Sequence, residues 1–260
     1  MPKSKNASAG LSYVEEVTAG TTPATPTMTS LPFASHDLDI ARDVLEGTDI
    51  QPDEMQRHTR LGNKHVAGSI TADIRKGDFD PFLESAMRSS FSTNVLKSGT
   101  TAKYFTIEDS ANDIGNFYQY KGMTVNSLGL SVEGGASNPV QLSLGFMGMD
   151  RTQSSATIAD TLTPISTNSP FDHHSGSLAI GNVGASSPMC VTSINLDIAR
   201  NYEEGFCVGD PAANELFAGM SMITGSFVAY YMGDEIVSRY DLATLTEIEF
   251  VLNHETGGNP

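Results

Sequence analysis

Apolar and polar residues alternate with a period of two over several stretches of the chain. In Met123 to Glu133, Leu128, Leu130 and Val132 point one way while Gly129, Ser131 and Glu133 point the other. A β-strand with one dry and one wet face requires this pattern. It predicts strands over 38–42, 66–72, 103–108, 123–132, 140–146, 196–200, 223–229 and 246–252. One short helix is signalled near 80–87: Asp80 is placed to cap it, Pro81 suits its first turn, and Phe82, Leu83, Ala86 and Met87 share a face. A counterpart is expected at about 235–240.

The same pattern repeats. Leu38-Asp39-Ile40-Ala41-Arg42 recurs letter for letter as Leu196-Asp197-Ile198-Ala199-Arg200, 158 residues later (positions 38 and 196). The flanks agree, with Asp37 against Asn195, Asp43 against Asn201, Glu46 against Glu204 and Gly47 against Gly205. At almost the same offset Val66 to Ala72 matches Ile223 to Ala229, and Gly77-Asp78 is echoed by Gly233-Asp234. Two ordered matches imply a duplicated module. Met123 to Val132 reads as a third copy of the first element, with Val140 to Phe146 as its partner. Gly68 and Gly225 fall inside matched strands, where glycine marks a bend, a bulge or a close approach, so two equivalent bends are expected.

The expected organisation is an extended arm over 1–30, where Pro23 and Pro26 among threonines resist helix. A first module over 31–150 follows, then a loop-rich Ser/Thr/Gly/Pro junction over 151–188 and a shorter second copy over 189–260. The segment from Asp43 to Lys64 is too long for a tight hairpin and is a candidate to reach a neighbouring molecule.

Composition narrows the function. Lys and Arg total 15 against 31 Asp and Glu, a formal charge of −16, which excludes an ordinary nucleic-acid-binding surface. Only 18% of residues are charged and Trp is absent, a profile that favours sheets joined by turns. No apolar run is long enough for a membrane-spanning helix and no signal core follows Met1, so a soluble chain is expected, without membrane binding. Cys190 and Cys207 are expected as reduced core fillers.

Catalytic and metal signals are weak. Gly205-Phe206-Cys207-Val208-Gly209 imitates a nucleophile elbow, but that turn belongs between a parallel strand and a helix. Asp172-His173-His174 lacks ligand spacing and further ligands for zinc, and His36, His58, His65 and His254 are scattered, so surface or strand-end positions are their default. No phosphate-cradling loop or dinucleotide fingerprint occurs. No enzyme, cofactor or metal is expected. A hydrolase on a β scaffold lacks support, and the competing reading is a secreted or surface β-sandwich that binds carbohydrate or protein through an aromatic-lined groove.

With these residues in view, Tyr13 to Pro23 resembles the opening of a family of tail tube proteins of long-tailed (siphovirus-type) bacteriophages. Lys103 to Glu108, the Gly122-Met123 step and Val125-Asn126-Ser127-Leu128-Gly129-Leu130 follow in that family's order. After Leu252 a further strand would be expected of the family. The resemblance implies a mainly β, duplicated tail-tube-type sandwich or barrel module with short flanking helices, whose inner sheets join into a β-barrel between subunits. It implies a virion tail protein made in the host cytoplasm, assembling with itself into stacked rings and meeting the tail terminator, tape measure and distal tail proteins. Double-stranded DNA would pass through transiently.

A bore of about 40 Å needs roughly two dozen strands at ~4.8 Å spacing and ~45° tilt. About four inner strands per module then predict a threefold ring with pseudo-sixfold character, the alternative being a hexamer. Asp39, Asp73, Glu133 and Asp197, on the wet faces of repeated strands, are the candidate lumen-facing carboxylates that repel phosphate.

Overall fold

A computed structural model describes residues 9–48, 52, 58–135, 139–172, 177–180, 191–230, 241–242 and 248–252. The chain is mainly β, as its alternation requires, and forms two open sheets packed face to face with one helix between them.

The first sheet runs in the order β10 (Thr161–Thr163), β2 (Thr27–Leu31), β1 (Ala9–Glu16), β6 (Tyr104–Ala111), the first half of β7 (Asn116–Glu133) and β9 (Asp150–Ser154). The second runs β4 (Asp39–Leu45), β5 (Arg60–Asp73), β8 (Gln141–Gly148), the second half of β7, β12 (Val191–Ala199) and β15 (Met222–Ala229). The short β3 (Ser35–His36) lies on the same side of β5 as β4. Two further antiparallel pairs are β11 (Ser177–Ile180) with β16 (Ile248–Val251), and β13 (Tyr202–Phe206) with β14 (Ala213–Ala218).

β7 belongs to both sheets because it bends. It pairs with β6 and β9 up to Met123 and with β8 and β12 beyond it. The bend is at Gly122, whose φ of +64° is costly for any residue with a Cβ and where a Cβ would meet Met149 Sδ at 2.6 Å. Its N–H is donated to Glu16 Oε1 (3.0 Å), which also accepts Thr106 Oγ1 (2.6 Å), while Oε2 takes the Gly20 N–H (2.7 Å). A buried carboxylate is tolerated there because three donors replace its water.

Helix α1 (Asp80–Met87) closes the sandwich. Phe82, fully buried, packs on Tyr13 and Phe105 of the first sheet and on Phe146 of the second, with ring centroids 4.6, 4.9 and 5.5 Å apart. Burying such a ring contributes about 1.5–3 kcal/mol. Lys103 Nζ ties the helix to the start of β6 through Glu84 (2.6 Å). Burial pushes the Glu84 carboxyl up, but the bonds from Lys103 and the Phe91 N–H outweigh it and hold the group below its ordinary range.

Several expectations are corrected. The segment expected as an extended arm over 1–30 is, from residue 9, built into the first sheet, where Leu11, Tyr13, Met28 and Leu31 are core residues; β1 and β2 alternate too briefly for the pattern to stand out. The Ser/Thr-rich stretch expected as loops holds β9, β10 and β11, whose main-chain pairing does not depend on apolar periodicity. Asp80 opens α1 from its first turn, and no side chain caps the helix. Of the two module forms expected, sandwich or barrel, the described residues form the sandwich, and its sheets stay open. Cys207 is exposed in the β13–β14 turn, so it fills no core, and the elbow-like Gly205 to Gly209 is the turn of a hairpin. Cys190, His173, His174, His254 and the expected second helix lie outside the described residues.

Candidate assembly surface

The repeated segments are bonded alike. In β4·β5 the register pairs Asp39 with Ala67, Ile40 with Val66 and Ala41 with His65. In β12·β15 it pairs Asp197 with Thr224, Ile198 with Ile223 and Ala199 with Met222. These are the positions that the sequence repeat aligns. Their surroundings differ: Val66 is fully buried and Ile223 is 54% exposed.

Alternation sends Ile70, Leu142, Leu144, Leu128 and Ile198 to the core; the other face of the second sheet is met by the β13–β14 hairpin at His65 and Met147 and is open along the rows beyond them. One row across that face reads Thr71, Ser143, Gly129, Asp197, Thr224 from β5 to β15. The next reads Asp73, Gln141, Ser131, Asn195, Ser226, with Ser131 Oγ donating to Asn195 Oδ1 (2.8 Å). Glu133 stands opposite Ser193 in the row after. The face is short-chained and polar, with carboxylates as its charges along these rows.

Asp73, Glu133 and Asp197 thus share one face, and the register sets Asp39, opposite Ala67, on it too. Asp197 and Glu133 are exposed and Asp73 is half-buried. Glycine makes room for Asp197, because a Cβ at Gly129 would meet its Oδ1 at 3.2 Å. Asp39 differs. Its Oδ1 accepts Arg151 Nη1 (2.6 Å), so its charge is matched by a guanidinium that also lies over the Tyr118 ring, 5.2 Å from the centroid.

The two repeated glycines are not equivalent in setting. Gly68 sits under the chain passing from β3 to β4, where a Cβ would lie 2.5 Å from Leu38 Cα. At Gly225 a Cβ would make an ordinary contact, 3.4 Å from Asn195 O, within a regular ladder. The pronounced bend belongs instead to Gly122.

A cluster that sequence spacing did not bring together lies beside this sheet. His65 sits between Asp43, 3.1 Å from its Nε2, and Glu204, bonded at Nδ1, with the Phe206 ring edge-on to it at 5.3 Å. The hydrogen bonds to Asp43 and then Glu204 push the imidazole pKa above its ordinary value. The β13–β14 hairpin is held to β5 by this contact and by Lys64 N–H to Pro211 O (2.8 Å), and packs through a small core of Met149, Tyr202, Ala213 and Leu216. His36 faces Asp109 at 3.8 Å, and burial pushes that carboxyl up. Asp43 and Glu204 both fall in the matched flanks of the repeat, but nothing in the sequence joined either to His65.

Among the described residues no group of three or more His, Cys, Asp or Glu side chains could hold a metal ion, and no helix is long and apolar enough to cross a membrane. A groove of about 630 Å³ beside the first sheet is lined by Phe33, Phe117, Leu162 and Ile165 together with Arg75 and Glu108.

The described residues form an open β-sandwich whose second sheet carries an acidic, short-chained face between two unpaired edges, β4 and β15. The chain belongs to the phage tail tube protein family, which it matches across residues 6–259, and it is a structural component of the virion tail. Solved structures similar to it include the sheath/tube terminator of an extracellular contractile injection system, PVC, in the extended state. That likeness has 16% identity and a TM-score of 0.39, and covers 59% of this chain and 98% of that one. The PVC sheath-tube complex gives 15%, 0.39, 58% and 91%, and the tube-terminating cap of the anti-feeding prophage gives 14%, 0.39, 60% and 93%. No curated protein matches the chain. Family membership rests on the family match.

Proposed function

We propose that this chain builds the tube itself. Copies join through the second sheet into a ring, the rings stack, and the acidic open face lines a bore through which genomic double-stranded DNA passes. The observation that carries this reading is the pairing of that face with edges that run in opposite directions. The sheet has an even number of alternating strands between β4 and β15. A second copy in the same orientation therefore presents β4 antiparallel to β15, and repetition closes a ring without leaving an edge.

Size favours few copies. The module expected over 31–150 contributes four strand positions (β4, β5, β8, β7) and the later one two among the described residues (β12, β15). Three chains then supply about eighteen strands and a backbone diameter of about 40 Å, or roughly 30 Å clear of short side chains, enough for a duplex. Six chains would open the barrel to about 80 Å, far wider than DNA needs. The threefold ring is accordingly the preferred assembly, with other tail proteins at its ends. Carboxylates on the bore repel phosphate and leave the duplex no adhesive stops.

Electron microscopy of the purified, concentrated protein tests this. Annular or tubular particles with three chains per ring are expected. Six chains per ring would remove the threefold count alone, while a chain that stays monomeric at high concentration would remove the tube-forming role.

A further inference from the structure

Arg200 is 1% exposed, and among the described residues no carboxylate is bonded to it. Its guanidinium donates to Ala86 O at the end of α1 and to Ser221 Oγ (2.6 Å), and lies 3.9 Å from Met87 Sδ. Its own N–H is donated to Asn126 O of β7 (2.7 Å). The residue is therefore a bolt: it leaves the end of β12, in the second half of the chain, and enters the first half just where β7 and β12 pair. The C-terminal end of a helix, with its unpaired carbonyls, is a favourable place for such a cation.

Arg42 is the same residue in the other copy of the repeat, three positions beyond Asp39 as Arg200 is beyond Asp197. β4 pairs with β5 as β12 pairs with β15, in the same register. Yet β12 has β7 on its other side, whereas β4 has no second neighbour at the level of Arg42 among the described residues. The Arg42 side chain is exposed and makes no hydrogen bond or ion pair among those residues. A long cation held on an edge strand, in a chain of net charge −16, is well matched to a second copy of that chain.

We propose that Arg42 is the bolt between copies: when the free edge of β4 takes up a second copy of this chain, Arg42 enters that copy as Arg200 enters the first half of its own. The junction β7·β12 is then an internal version of the joint between molecules, and the two arginines are its internal and external locks. Buried arginines of this kind carry a large share of the binding energy at heterologous interfaces. The proposal rests on the self-assembling reading above and adds to it a named residue and the side of the sheet that acts as donor.

Arg42→Ala, Arg42→Lys and Arg200→Ala, each in the full chain, separate the two roles. Assembly is followed by size-exclusion chromatography with light scattering over a concentration series, and folding by the thermal midpoint of the dilute, unassembled chain. Arg42→Ala is expected to raise the concentration for half-assembly at least about tenfold, the size of effect that defines an interface anchor. Its thermal midpoint should stay at the wild-type value. Arg42→Lys should recover only part of the loss, since an ammonium lacks the planar fork, and Arg200→Ala should lower the midpoint itself. Assembly of Arg42→Ala at the wild-type concentration, or full recovery by lysine, would overturn the proposal and leave the tube-forming reading standing. A wild-type chain that never assembles would count against that reading first and take this one with it.

Discussion

Gly122 and Glu16 carry the bend in β7 between them, and neither belongs to a motif that names its role. The glycine supplies a φ of +64° and leaves space for Met149, and the carboxylate receives the N–H that the bend frees from the ladder. Gly122→Ala should therefore cost at least about 2 kcal/mol, the strain of the dihedral plus displacement of Met149. Urea unfolding would show it as a lower midpoint with an unchanged slope; an unaltered midpoint would mean that β7 bends without the glycine's freedom. The Gly122-Met123 step was visible in the sequence as part of a resemblance, but its conformation was not. Strand patterning reports which way a side chain faces and is silent on φ. For the same reason Gly68 and Gly225 read alike in sequence, while a crossing chain presses on only one of them.

Among the elements, the β13–β14 hairpin depends most on titration. Both carboxylates that face His65, Asp43 from β4 and Glu204 from β13, favour the protonated ring, and its folded pKa lies above the ordinary 6.5. A raised folded pKa gives a contribution that is complete below the unfolded value and is lost as pH rises through the folded one. Hydrogen exchange at Tyr202 to Phe206 should thus quicken as pH climbs above 6.5, beyond the intrinsic increase in exchange rate. His65→Gln should flatten that excess, and a profile identical in both proteins would detach the hairpin from this histidine. The stability at stake is modest because the ring is 36% exposed and screened by water. Sequence spacing set His65 among the scattered histidines, since Asp43 and Glu204 approach it through strand register and a hairpin that folds back across the sheet.

For the whole molecule, the decisive feature is one polar face bounded by two edges. The register sets all four carboxylates singled out by alternation on that face, and Asp39 alone among them is paired with a guanidinium, that of Arg151. Combining Asp73→Asn, Glu133→Gln and Asp197→Asn removes the charges of the other three without changing strand shape. Rings of this variant should form at least as readily as the wild type, because like charges around a closed bore repel. They should also retain duplex DNA on co-sedimentation in low salt where wild-type rings release it. Equal release by both would place the carboxylates away from any DNA path.

What the chain determined by itself was what repeats or alternates: the strands with a long enough alternation, the mainly β class, the copying of β4·β5 into β12·β15, and which residues of the second sheet stay wet. These are local properties, because a pleated strand assigns faces by parity alone. The tertiary structure decided what depends on distant neighbours. It drew the expected arm into the first sheet, bent β7 from one sheet to the other, matched Asp39 with Arg151 and closed two carboxylates around His65. It also gave two arginines of one repeated pentapeptide opposite settings, Arg200 buried and Arg42 exposed. No local rule separates them, since burial is a property of the surroundings, and identical segments differ when one lies inside a sheet and the other forms its edge.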